Sequence, residues 1–372
     1  MKNKQSLKIK FRLAALKSVL ILFLLQSFLI SSQTIKSRDL RFIDSIAESV
    51  KTTPGMTLLI AKKGKVLFKK AYGYANYELK VPNKTNYSFA IGSLSKQFTA
   101  VAILKLAENK KISIKDKVKK YLPWFNTREQ DNITIEHLLT HTSGLKDFLI
   151  NENFIDEFIK PFSKKNMLEY LKKEILFESK PGSEYKYNNA GYVYLSLIIE
   201  KVAGKSFDEY MSENIFNPLH LHSTFVGSPN KLVHGTVTGY NTTRDAHKTI
   251  LRETYLHFDL NWTMGAGSIY SSVEDMLKWD NALNTNKIIS SESLNLAQTP
   301  FVLNDGSKTK YGFGFEVETK KGLKMITHSG MINGFQTNMI RIPKHRLYIV
   351  AMSNRIDFAP NFIYKLAKRL LE

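Results

Sequence analysis

Apolar residues recur along this chain with two periods. Leu40, Ile43, Ile46, Ala47 and Val50 follow helical spacing, and the Pro54-Gly55 pair stops that helix. A hairpin is predicted next, with strands over 56–62 and 66–74 rich in Leu, Ile, Val, Phe and Tyr and a turn at Lys63 and Gly64. The middle, from about 89 to 303, reads as mostly helical with long polar loops. Its apolar stripes fall at 98–106, 135–139, 167–175, 192–202 and 273–283, the last preceded by a capping box of Ser271 and Glu274. Strand patterns return at 323–328, 335–342 and 346–353, with Pro343 opening the turn between the last two. A final helix over 361–371 carries Phe362, Ile363, Leu366 and Leu370 on one stripe.

This order predicts an α+β fold. Both ends of the chain supply one antiparallel sheet, flanked by N- and C-terminal helices, around an inserted and mostly helical lobe. The expected boundaries are 33–88 with 304–372 for the α/β lobe and 89–303 for the helical lobe. Neither an internal repeat nor a Pro/Gly/Ser-rich linker divides the sequence further. Its 372 residues, 43% hydrophobic, suffice for a sizeable core.

Residues 1–32 change the picture. They carry Lys2, Lys4, Lys8, Lys10, Arg12 and Lys17, no acid, and then an uncharged, mostly apolar run from 18 to 30. A basic segment before an apolar run of that length is the pattern of a signal peptide, too short for a comfortable membrane span. Cleavage is expected after Ser32, with export to the periplasm or beyond and no stable span afterwards; an uncleaved anchor is the alternative. The whole chain has 54 Lys+Arg against 33 Asp+Glu, a net charge of +21. These cations are scattered in short runs, 62–70 and 110–120 among them, broken by apolar residues. That is a solvated basic surface rather than a nucleic-acid footprint. The absence of cysteine from the sequence excludes a disulfide framework, a thiol nucleophile and a thiolate metal site.

Several catalytic signatures are missing: H-E-x-x-H, G-x-S-x-G and G-x-x-x-x-G-K-[ST] do not occur. S-x-x-K occurs five times, at Ser93, Ser143, Ser183, Ser228 and Ser307. Four of these lie in turn-like sequence beside Gly or Pro. Ser93 alone opens a predicted amphipathic helix, on which Lys96 shares its face one turn later. A helix N-terminus stabilises developing negative charge, so the position suits a nucleophile; it equally suits a helix cap. Tyr187 and Asn189 precede another helix, and a nearby ammonium would favour the ionised phenol. His328 is expected at a strand end, where Gly330 would allow close backbone approach. His137 and His141, four residues apart with Glu136 nearby, offer a rival metal pair without an obvious third ligand.

Together, Ser93-Leu-Ser-Lys96, Tyr187-Asn-Asn189 and His328-Ser-Gly330 resemble the three active-site motifs of the class C β-lactamase-like family, which includes penicillin-binding D,D-peptidases, D-aminopeptidases and carboxylesterases. Residues 133–145 and 265–276 look familial too, and the likeness runs over about 38–372. The resemblance implies that Ser93 is acylated while Lys96 and Tyr187 share proton transfer. Asn189 would bond the acyl side chain of the substrate, the backbone N–H groups of Ser93 and Met331 would form the oxyanion hole, and His328 and Ser329 would face the leaving group or its carboxylate. It further implies no cofactor, no metal, and a small-molecule or peptidoglycan-derived substrate. One departure matters: β-lactamases of this type carry Lys-Thr-Gly in the third motif, which this chain lacks. A histidine, with an ordinary pKa of about 6.5, holds a carboxylate less well at neutral pH. The expectation is therefore a D,D-carboxypeptidase- or esterase-like enzyme; the alternatives are a class C-type β-lactamase and a penicillin-binding receptor with little turnover.

Overall fold

Lys63 and Gly64 both take left-handed φ angles, 52° and 75°. Such a pair closes a two-residue hairpin whose twist matches its strands, here β1 (Met56–Lys62) and β2 (Lys65–Tyr72). The computed structural model describes residues 35–372 apart from 128–129, 151–162, 174–175, 228–231, 245–248, 254–258 and 321. The expected leader lies outside the described residues.

Four more strands complete the main sheet: β3 (Glu316–Lys320), β4 (Leu323–Ile332), β5 (Phe335–Ile342) and β6 (Leu347–Ser353). The spatial order is β3-β4-β5-β6-β1-β2, and all neighbours are antiparallel. Strands from the two ends of the chain thus meet in the sheet interior, where Met56 pairs with Ser353 and Lys62 with Leu347. β3 was not anticipated, because its sequence is mostly charged and only Val317 is buried, as suits an edge strand. β4 runs on past the expected end at His328.

Helices cover both faces. Helix α1 (Ser37–Ala47) meets the C-terminal helix α6 (Phe362–Leu371), and Arg369 Nε pairs with the buried Asp39 at 2.9 Å. On α6 the buried positions are Ile363, Leu366 and Ala367, so the apolar stripe sits slightly off the predicted one. Against β1 and β6 packs α5 (Val273–Leu283), whose Trp279 stacks on Phe98 of α2 (Ser95–Glu108) at 4.1 Å. The cap of α5 is Ser272, which accepts from Asp275 N–H; Ser271 ends the short strand Ile269–Ser271 instead. The expected box on Ser271 and Glu274 is therefore displaced by one residue.

Helix α2 also corrects the sequence reading. It is buried on every side, polar Ser95, Lys96, Gln97 and Thr99 included, rather than amphipathic. The middle of the chain contains strand as well as helix: Phe89–Ala90 and Phe225–Val226 flank Ile269–Ser271 in a small sheet.

Candidate active site

Ser93 lies in a single 3₁₀ turn, Gly92–Leu94, leading into α2. Gly92 has φ 52°, and a Cβ there would come within 3.0 Å of Met331 N, so the turn can sit directly on β4. The residue capping α2 is Leu94, without a side-chain bond, so Ser93 is not the helix cap. Its hydroxyl is half-buried, with Oγ 3.0 Å from Lys96 Nζ.

Lys96 is wholly buried, and its amine has two further partners, Asn189 Oδ1 and the carbonyl of Ala266, each at 2.9 Å. Burial pulls its pKa from 10.5 to about 7, with the charge of Asp147 pulling the other way. A neutral amine has two N–H donors and one lone pair. Asn189 Oδ1 and Ala266 O can only accept, so they take both donors and leave the lone pair facing Ser93 Oγ.

Tyr187 closes the other side of Ser93. The Ser93 side chain favours the ionised phenol, but burial outweighs it and raises the Tyr187 pKa above 10. Lys96 Nζ stands 4.9 Å from the centre of the Tyr187 ring. Desolvation outweighs any pull from this amine, so the phenol keeps its proton.

Asn189 opens helix α4 (Asn189–Ala203), and the preceding Asn188 caps it by accepting from Gly191 N–H. Beneath this helix N-terminus sits Asp147, 6% exposed. Asp147 accepts from the backbone and side-chain amides of Asn189, each at 2.8 Å, and from Ala190 N at 3.1 Å. A carboxylate at a helix N-terminus is stabilised by the helix dipole. The amide of Asn189 is thus largely spent in holding Lys96 to Asp147. Sequence reasoning missed Asp147, which follows the familial segment by two residues and has no spacing that marks it.

The third motif comes from β4, whose ladder with β3 ends at Thr327 while its pairing with β5 continues to Ile332. Beyond that point the turn at Ile91–Ser93 takes the place of β3. Only glycine fits at 330, since a Cβ there would lie 2.1 Å from Ile91 O and 2.4 Å from Thr337 Oγ1. Ser93, Asn189 and Met331 line one cleft together with Leu149, Thr263 and Ile332.

His328 is placed otherwise than a leaving-group contact requires. It is 1% exposed, and burial aided by nearby Lys96 pushes its pKa down to about 3. Nδ1 donates to Ser329 O at 2.6 Å, which leaves Nε2 to accept from Tyr311 OH at 2.9 Å. The ring stands behind Tyr187, 6.3 Å between centroids, while Ser329 is exposed.

The rival residues do not converge. Ser183 and Ser307 bond within their own turns, and the lysines three residues on, Lys186 and Lys310, pair with Glu178 and Glu318. Ser143 accepts from Leu145 N–H, and Ser228 lies outside the described residues. His137 closes the cap of α3 (Ile135–Leu139), and His141 Nδ1 accepts from Asn188 N–H. Among the described residues no three His, Cys, Asp or Glu side chains gather as a metal site would need.

Comparison with known proteins identifies the family. The chain is 34% identical over 324 residues to penicillin-binding protein 4* of Bacillus subtilis (strain 168), covering 80% of this chain and 68% of that protein. It is 28% identical to protein flp of Staphylococcus aureus (strain N315), covering 86% of this chain but 63% of the relative, less than two thirds of its length. Among solved structures, the octameric penicillin-binding protein homologue from Pyrococcus abyssi superposes with a TM-score of 0.76 at 27% identity, over 90% of this chain and 76% of the other. The family described as Beta-lactamase matches residues 42–371, and the chain belongs to that family.

Proposed function

We propose that this chain is a serine hydrolase that cleaves ester or amide bonds through an acyl-enzyme on Ser93. The observation that carries this reading is the bonding of Lys96, which lies 3.0 Å from Ser93 Oγ and whose two other partners are pure acceptors, so that the neutral amine keeps its lone pair for the Ser93 proton. As Ser93 Oγ bonds to the substrate carbonyl carbon, its proton passes to Lys96. The backbone N–H groups of Ser93 and Met331 receive the oxyanion. Tyr187, protonated and beside Ser93, gives its proton to the departing nitrogen or oxygen, and the Lys96 ammonium restores it. Water then attacks the ester, its proton follows the same route in reverse, and Ser93 regains its hydrogen.

The described cleft residues include no cation, and His328 is neutral and buried. This favours substrates whose leaving group bears no carboxylate: short esters and amides before D-alanyl-D-alanine peptides. The name of the 34% identical relative favours one further outcome, slow-releasing acylation by penicillin.

Hydrolysis of a short nitrophenyl ester, a D-amino-acid amide, a D-Ala-D-Ala peptide and a chromogenic cephalosporin, each beside labelling by fluorescent penicillin or fluorophosphonate, tests the proposal. Ser93→Ala is expected to abolish labelling and lower hydrolysis at least about 10³-fold. Lys96→Ala and Tyr187→Phe should fold and acylate slowly. An adduct mapped by mass spectrometry to another residue would overturn the mechanism.

A further inference from the structure

His141 is used by none of the steps above, yet it is built into the wall behind them. It takes a left-handed φ of 58°, uncommon for a residue with a side chain, and is 2% exposed. Bent this way, it presents two acceptors to one short segment. Its carbonyl accepts from Lys186 N–H at 2.9 Å, and its ring Nδ1 accepts from Asn188 N–H at 3.1 Å. These are the two backbone amides on either side of Tyr187. The imidazole also lies against the Tyr187 ring, 4.3 Å between centroids at 37°, with Tyr311 and Tyr192 at 4.5 and 5.2 Å.

An imidazole can accept at Nδ1 only while neutral, with its proton on Nε2. Burial, with Lys96 and His328 nearby, holds His141 well below its ordinary pKa, consistent with that form. Asn188 in turn fixes the start of α4, because its side chain donates to Leu145 O and accepts from Gly191 N–H. One residue therefore determines where Tyr187 leaves the chain, how its ring tilts, and where Asn189 begins its helix.

We infer that His141 is a positioning residue for the reaction: it clamps the backbone around Tyr187 and so sets the phenolic hydroxyl against Ser93. The inference rests on the proton-transfer role proposed for Tyr187. Loss of the clamp should slow acylation more than it weakens binding, since misplacing a catalytic group by about 1 Å can cost on the order of 10²-fold in rate.

Two variants separate the parts. His141→Gly keeps the left-handed backbone and the carbonyl but removes the ring and Nδ1. His141→Asn also tolerates that backbone, and its Oδ1 can accept from Asn188 N–H in place of Nδ1. With kcat expressed per site titrated by fluorophosphonate, His141→Gly is expected to lose about 10²-fold in kcat with KM changed less than about threefold, and His141→Asn to recover at least about tenfold of that loss. In a Tyr187→Phe background, where no hydroxyl remains to be placed, His141→Gly should cost less than about threefold more.

Full multiplication of the two losses, a change confined to KM, or no advantage of Asn over Gly would each overturn the positioning role. Should His141→Gly fail to fold, the acylation rate of His141→Asn with and without Tyr187→Phe decides by the same coupling. Wild-type acylation by Tyr187→Phe, with His141 intact, would instead overturn the role of Tyr187 and the inference with it.

Discussion

Lys96 sits at zero exposure, with a pKa brought to about 7 by burial and limited in its fall by Asp147. Because the neutral amine is the form that takes the Ser93 proton, acylation should rise with pH through about 7 and level off above it. Below that point the rate should fall about tenfold per pH unit, as the fraction of free amine does. Asp147→Asn removes the charge that favours the ammonium, so the rising limb should move to lower pH. Rates of fluorophosphonate labelling from pH 5 to 9 read both effects, and a limb that stays in place in Asp147→Asn would deny Asp147 this influence. Ser93 and Lys96 were expected from the sequence through their spacing of three taken with the family resemblance, since the spacing alone suited a helix cap equally. Asp147 and His141 were not, since their partners lie 42 and 47 residues away and only the fold joins them. His141 drew notice only as half of a metal pair.

Among the elements, β4 shows how a strand makes a site by outlasting its neighbour. Where β3 stops, Ile91–Ser93 moves in against Gly330, and the contact is close enough to admit no side chain. Gly330→Ala should therefore push the turn off the strand and reduce labelling of Ser93 by on the order of 10²-fold, with a lowered melting temperature. A variant that labels at the wild-type rate would show that Ser93 does not depend on this contact. The first hairpin was read correctly because its turn chemistry and its apolar strands agree. Helix α2 was misread as amphipathic because periodicity treats every polar residue as solvent-facing, whereas Ser95, Lys96, Gln97 and Thr99 spend their polarity inside. Ser271-Ser272-Val273-Glu274-Asp275 fits a capping pattern in two registers, and only the strand ending at Ser271 chooses between them.

At the scale of the molecule, the α+β arrangement was legible because strand periods lie near both ends of the chain and helical periods between them. The sheet order that results, with β6 beside β1, joins an early and a late strand of the described residues in one sheet, and Arg369 fastens α6 to Asp39 of α1. That junction has a consequence in time. A chain made from its N-terminus holds the β1–β2 hairpin long before β6 exists to cover it, and closing so large a loop adds little to the free energy but much to the search. Joining Glu372 to Ser37 by a short linker and opening the chain at the turn before Gly306, where a Cβ would meet nothing within 4 Å, would make all six sheet strands consecutive. Such a permutant should regain Ser93 labelling faster than its parent after dilution from denaturant. Recovery at the parental pace would place the slow step elsewhere; faster recovery would mean that, during synthesis, the hairpin waits with an open edge for the last strand to arrive.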